Sequence, residues 1–412
     1  MKEMVMIIGA GIFQIPAIKE AQKMGYAVLV LDMNPCAPGF EIADCKEYIS
    51  TKDISRAIRC AHDYGKKYHL QAVFTAGTDV AYTVASVAHA MGLPGISPDA
   101  ALCATNKYLM RCALRTHDVP CPDFISAKTV EDACAKARIL GYPLVIKPVD
   151  NMGARGVRQI DTEEELREQF QKSIGESGHY GDPTVILEEY MEGQEISMDT
   201  LVDEKGEVHL LTVADRHILS PPYFVEVGHS IPSLLSHETI RQAFDVMKKA
   251  IKAVGITCGA AKADIKITHE GAKIGEITAR LSGGFHSQCT DPLATGMNTT
   301  KAALDMALGK SLNRDDITPR YHRVALERAL LPSPGKIISI EGIDEARNIP
   351  GIFDIFLTRH VGDYVTSPTS NIGKVGHIIA YGTTRKEAEK AYGRARDIIK
   401  IQTVQQEKVM VG

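Results

Sequence analysis

Four short segments combine lysine, glycine, carboxylate and arginine in an order suited to holding a nucleotide triphosphate. They are V-I-K-P at 145–148, D-N-M-G-A-R-G-V at 150–157, E-E-Y-M-E-G-Q-E at 188–195, and D-I-K followed by G-E-I-T-A-R-L-S-G-G between 264 and 284. Cationic side chains meet phosphate oxygens, glycines let backbone N–H groups approach them, and carboxylates hold the divalent cation that bridges them. Lys147 lies on an apolar run, where an ammonium is costly unless an anion partners it. Gly153 and Gly156 flank Arg155 in a loop expected to adopt positive φ, approach a phosphate and close as a lid. Arg155 itself is either a second phosphate contact or an exposed loop arginine. Asp264 and Glu276 are expected on the two strands of a hairpin turned by T-H-E-G, converging from one face on Mg²⁺ or Mn²⁺. Arg280 follows, suited to a transferring phosphoryl group. There is no G-x-x-x-x-G-K-[ST] and no H-R-D with D-F-G, which excludes a P-loop or a protein kinase.

Around these segments the chain must supply a scaffold, and 412 residues suggest two to three domains. Met4–Ile8, Ala27–Leu31 and Gln71–Thr75 read as apolar strands, with helices at Ile15–Met24 and Val80–Met91, hence a parallel sheet covered by helices. The first turn, G-A-G-I-F-Q, is only a partial dinucleotide fingerprint, with Gln14 at the third glycine and Asp32 where a ribose acid would stand. Further on, a helix over Val130–Leu140 leads to strands at Leu144–Lys147, Val157–Ile160 and Val185–Leu187, then to the hairpin Ala260–Ile267 with Lys273–Ile277. Past Pro319 come three short strands and a helix opened by the capping box Thr384–Glu387. A formal charge of −4 without a basic run argues against a nucleic-acid partner, and no apolar run approaches the roughly 18 residues of a membrane span. Nine scattered cysteines with no C-x-x-C suit reduced thiols and a cytoplasmic setting.

Taken in order, the four segments resemble those of the ATP-grasp superfamily, whose enzymes activate a carboxylate with ATP and pass it to a nucleophile. The resemblance extends over nearly the whole chain, with its specific motifs in the central third. It implies an α/β architecture: a Rossmann-like pre-ATP-grasp domain over 1–105, an ATP-grasp domain over 106–319 with a lid at about 120–190, and a C-terminal α/β cap over 320–412. It further implies that Lys107 and Lys147 are the nucleotide lysines, that Glu188 and Met191 face adenine, and that Glu195 meets the ribose. The stretches T-V-A-D-R-H at 212–217 and Y-F-V-E-V-G-H-S-I-P-S at 223–233 resemble the narrower L-amino-acid ligase group, where this region lines the amino-acid pocket. There Glu226 would meet an α-ammonium, with His229 and His217 as polar neighbours, all in a loop. Gly283, Gly284 and His286, with Ser287 and Asp291 beyond, either touch substrate or are ordinary loop polarity.

One departure is Thr278, which stands where many superfamily members carry a metal-ligating asparagine. A hydroxyl or water must substitute there, or one of two metals is held more loosely. The activity implied is an ADP-forming carboxylate–amine ligase working through an acyl-phosphate, with Arg280 and Lys147 as catalytic groups and small carboxylates and amines as substrates. A homodimer is the family's habit. Two alternatives stand beside it: a purine-pathway-type ligase using bicarbonate or formate, and an ATP-binding regulatory protein without turnover.

Overall fold

The structure, a computed structural model, describes residues 1–219 and 221–405; Ser220 and the last seven residues of the expected C-terminal cap lie outside the described residues. The first strands, β1 (Glu3–Ile8), β2 (Ala27–Asp32), β3 (Cys45–Tyr48) and β4 (His69–Phe74), form a parallel sheet in the order β3-β2-β1-β4. Helices on both faces explain why β1 from Met4 onward and β2 up to Leu31 are apolar. Val5 and Ile7 enter one core with Ile18, whereas Met4, Met6 and Ile8 enter another with Ala57 and Val87. The expected alternation is present, joined by two elements not anticipated from the sequence, β3 and the helix Ile54–Gly65.

Next come β5 (Phe124–Ala127), β6 (Leu144–Pro148), β7 (Arg158–Ile160) and β8 (Val185–Glu189), an antiparallel sheet in the order β5-β8-β6-β7. The helices Val130–Leu140 and Glu163–Ile174 pack on one side of it through Ala133, Leu166 and Phe170. Thr129 caps the first helix by accepting the Asp132 N–H, and Gly141, at positive φ, ends it.

The remaining strands are β9 (Gln194–Val202), β10 (Val208–Ile218), β11 (Glu226–Ile231), β12 (Gly259–Thr268), β13 (Gly271–Thr278), β14 (Val324–Leu330), β15 (Gly335–Glu341), β16 (Ile352–Leu357), β17 (Tyr364–Val365), β18 (Gly376–Gly382) and β19 (Lys400–Val404). Eight of them form one sheet in the order β13-β12-β9-β10-β11-β14-β18-β16, while β17-β15-β19 form a small separate one. Strands β14, β16 and β18 of the expected cap therefore extend the central sheet. The 18-residue helix His237–Val254 covers one face through Met247, Ala250 and Val254. The opposite face opens on the cavity described next. Among the described residues, no helix is long and apolar enough to cross a membrane.

Candidate functional site

Cross-strand register on the eight-stranded sheet sets the site. Asp264 pairs directly with Glu276 across the β12–β13 hairpin, and the same rung continues to Ser197 on β9. One rung over, Lys266 pairs with Glu195, and Arg216, His229 and Glu327 align from β10 to β14, the two sets joined by the Arg216–Glu195 ion pair. Residues two apart on a strand share a face, so both rungs present to the same side. All but Glu327 line one wall of a cavity of about 540 Å³, a size usual for small-molecule sites.

Full charges in this wall are paired. Lys107, at the start of the helix Lys107–Thr116, reaches Glu276 at 2.8 Å. Arg216 binds Glu195, Glu226 at 2.8 Å and Asp264 at 3.0 Å, and Lys262 also binds Asp264. Burial by itself would raise the Glu276 and Glu226 carboxyls, but Lys107 and Arg216 respectively hold them well below the usual range. Asp264 differs: burial raises it despite Arg216 and Lys262, and its Oδ1 is buried without a hydrogen-bond partner. An orphaned carboxylate oxygen opposite a second carboxylate fits the oxygen ligands that Mg²⁺ requires.

The second wall comes from the β5–β8 sheet. Lys147 on β6 meets Glu188 at 2.5 Å, and Arg111 meets the other Glu188 oxygen at 2.9 Å. The Glu188 carboxylate, which lines the cavity, holds Lys147; burial alone would raise it, but Arg111 and Lys147 bring its pKa below the usual value. Met191 and Glu195 line the cavity beside it. The loop after β6 lies over the opening: Gly153 has φ +67°, its carbonyl accepts the Asn371 N–H at 2.9 Å, and Met152 Sδ accepts the Asp79 N–H at 3.3 Å. Arg155 lines the cavity and its Nε donates to the Met152 carbonyl at 3.1 Å.

Gly156 does not line the cavity. Its positive φ is as expected, but a side chain there would meet Pro148 Cγ at 2.8 Å, and its carbonyl accepts the Ser173 hydroxyl at 2.6 Å. The glycine there makes room for Pro148, which packs the loop on β6.

The third wall is the turn after β13. Arg280 pairs with Asp79 of the amino-terminal domain at 2.6 Å, and the Thr278 hydroxyl donates to the same carboxylate at 3.2 Å. Gly77 and Gly283 pass so closely that a side chain at 283 would meet the Gly77 carbonyl at 2.8 Å. Gly284 and His286 complete this edge. The stretch around Glu226 and His229, expected as a loop, is strand β11, which is why their side chains are set by register. Alternation turns His217 away from the cavity, to Ser230 at 2.9 Å, because Arg216 faces inward. Ser287 and Asp291 also lie outside the lining, with Asp291 fully buried.

Sequence reasoning missed Asp79, Arg111, Arg216, Lys262, Glu327 and His377. The ionisable residues among the alternating positions of T-V-A-D-R-H and A-K-A-D were the available signal for Arg216 and Lys262. Among the described residues one other cluster has metal-ligating types, Asp203, Glu207 and His209, but none of them lines the cavity. Asp203 is occupied there by the Lys205 and Glu207 amides of the β9–β10 turn.

Residues 140–288 match the ATP-grasp domain family, and residues 328–404 match the L-amino acid ligase C-terminal domain 2. A protein of Sinorhizobium fredii (strain NBRC 101917 / NGR234), described as uncharacterized protein y4rH, is 25% identical over 386 residues, covering 93% of this chain and 79% of its own. The solved L-amino acid ligase from Bacillus licheniformis superposes with a TM-score of 0.82 at 23% identity, over 99% of both chains. The N5-carboxyaminoimidazole ribonucleotide synthetase from Thermotoga maritima gives 0.72 at 20% identity, over 98% of this chain and all of its own. At those identities the structural likeness speaks for the fold. The chain therefore carries an ATP-grasp domain over residues 140–288, spanning β6 to β13, followed by an L-amino acid ligase-type C-terminal domain over 328–404.

Proposed function

We propose that the protein is an ADP-forming, ATP-dependent carboxylate–amine ligase acting on an amino acid or a similar small carboxylate. The observation that carries this is the convergence of Asp264, Glu276, Lys107, Lys147 and Arg280 on one cavity roofed by the 150–157 loop. Lys107 and Lys147 would hold phosphate oxygens, the loop amides would approach them, and Glu195 would meet ribose hydroxyls as an acceptor. The β8 end, through Glu188 backbone and Met191, would receive the base. Asp264 and Glu276 would hold Mg²⁺, which neutralises charge between the phosphates when bound. Arg280, now paired with Asp79, would steady the group in transfer. The protein's contribution is positioning and charge stabilisation. Each internal cation now on a carboxylate is one that the substrates must exchange with, so charge stays balanced through binding.

The match of residues 328–404 to the L-amino acid ligase domain favours amino acids over the amines of a purine-pathway enzyme. The test is phosphate release from Mg-ATP with pools of L-amino acids, then with bicarbonate or formate and purine amines, using Glu276→Gln as the blank. Release driven by amino acids, with a hydroxamate trapped by hydroxylamine, supports the acyl-phosphate route. Release driven only by bicarbonate would move the assignment to the purine-type reaction, and tight ATP binding with no release under any pool would leave a regulatory protein.

A further inference from the structure

The cavity wall made by β11, β14 and β18 carries three imidazoles, His229, His286 (from the turn beneath) and His377. Two are tied at Nε2: His229 lies 2.7 Å from the Thr290 hydroxyl and His286 3.1 Å from the Thr212 hydroxyl. His377 is tied at the other nitrogen, with Nδ1 2.6 Å from Glu327 Oε1. Glu327 is 1% exposed and lies opposite His229 and two residues from the His377 position along the β14–β18 ladder, on the same face. Among the described residues no lysine or arginine forms an ion pair with Glu327; its ion-pairing neighbours are His377 and, at 3.6 Å, His229.

A buried carboxylate accepts, so Nδ1 of His377 carries the hydrogen and Nε2 the lone pair. Among the described residues nothing hydrogen-bonds that Nε2, and the ring lines the cavity. Phe285 packs against it edge-on at 5.0 Å and limits its rotation. A carboxylate-oriented imidazole with a free Nε2 at a reactant cavity is the arrangement of a general base.

We propose that His377, positioned by Glu327, is the base that readies the attacking amine, an inference that rests on the ligase reading above. Amines are largely protonated near neutral pH and carry no free lone pair. His377 Nε2 takes one proton from the ammonium. The freed nitrogen pair then forms the C–N bond at the acyl carbon, and the acyl C–O bond breaks with its electrons leaving on phosphate. The second surplus proton of the amine departs with that phosphate, giving amide, hydrogen phosphate and imidazolium, which returns its proton to solvent.

The experiment uses the full chain with Mg-ATP and a pool of the twenty L-amino acids, with and without hydroxylamine. Hydroxylamine is uncharged at pH 7 and needs no base. In His377→Asn, whose side-chain amide can still donate to Glu327, hydroxamate formation should stay within about twofold of wild type while dipeptide kcat falls by about 10²–10⁴. Glu327→Gln should lower dipeptide kcat with KM for the amine unchanged, which a merely structural role would not do. In the wild-type protein, diethyl pyrocarbonate should modify His377 ahead of His229 and His286, as read by peptide mass spectrometry. Equal loss of hydroxamate and dipeptide, no loss of either, or slower modification of His377 than of the other two would overturn the proposal. Absence of hydroxamate from the wild-type protein would instead overturn the ligase assignment, and this inference with it.

Discussion

The two ends of the central sheet face one cavity with opposite electrical designs. From β13 to β10 the wall is made of full charges, with Lys107, Lys262, Lys266 and Arg216 each on a carboxylate. From β11 to β18, beyond the ion-paired Glu226, it carries imidazoles around the buried Glu327, with Lys374 beside them, and burial holds His229 and His286 below their ordinary value, hence neutral at pH 7. Paired full charges can be exchanged for a polyphosphate and its cation without leaving an uncompensated ion in a dry site. Neutral imidazoles can take up a proton near neutral pH, which the ammonium and guanidinium groups there cannot do. Under the proposed ligase reading, the charged end would bind the polyphosphate and its cation and the imidazole end would handle protons.

Neutralising the charged end should have the largest effect. Glu276→Gln should lower ATP turnover by at least about 10²-fold, measured by phosphate release, with an unchanged far-ultraviolet spectrum because that side chain lies on the edge strand β13. Retained turnover would make the contrast between the two ends meaningless.

Arg111→Met should come next, as a stability effect. The Arg111–Glu188 pair is 0% and 1% exposed, and breaking a buried pair costs about 3–5 kcal/mol, read by urea unfolding. The folded-state pKa of Glu188 is depressed below its model-compound value of 4.5, so its stabilisation is present above that pH and lost as pH falls. Wild type should therefore lose stability below pH 4.5 more steeply than Arg111→Met.

Asp291→Asn should show the opposite sign, beneath the imidazole end. Burial, then Asp199, pushes the Asp291 carboxyl up to about 7 from 3.8, so ionising it in the folded state costs stability as pH rises through that window. The asparagine variant should gain stability at pH 8 relative to pH 4, by at most roughly 4 kcal/mol. A gain that does not depend on pH would show that Asp291 is not held protonated.

Asn371→Ala should have the smallest effect. Its side chain accepts the Glu226 N–H at 3.0 Å while its own N–H holds Gly153, so it links the loop to β11. Losing one such bond is worth about 1 kcal/mol, seen as a several-fold rise in KM for ATP. No change would place the loop's hold at Met152 and Asp79 instead.

Local chemistry made some of this legible in the chain itself. Strand β1, the helix Val130–Leu140 with its Thr129 cap and the Thr384–Glu387 capping box announce themselves through apolar runs and hydrogen-bonding side chains a few residues apart. That Asp264 and Glu276 share one hairpin was legible from the short turn, but the register of that turn sets Asp264 against Gly275, and only the bulge between Asp264 and Ile265 brings Glu276 opposite it. Strand β11 was not legible: E-V-G-H-S-I is half polar and interrupted by glycine, and only its neighbours β10 and β14 make it a strand. Gly156 looked like Gly153, and only the approach of Pro148 and Ser173 separates their roles.

The sequence by itself determined the kinds of groups present, their order and the local elements that carry them, because propensity, capping and tight turns act over a few residues. Tertiary structure alone decided that Arg216 faces inward and His217 outward, that Asp79 meets Arg280 from 201 positions away, and that Glu327 orients His377. Those outcomes depend on register between strands far apart in the chain, which no short-range pattern encodes.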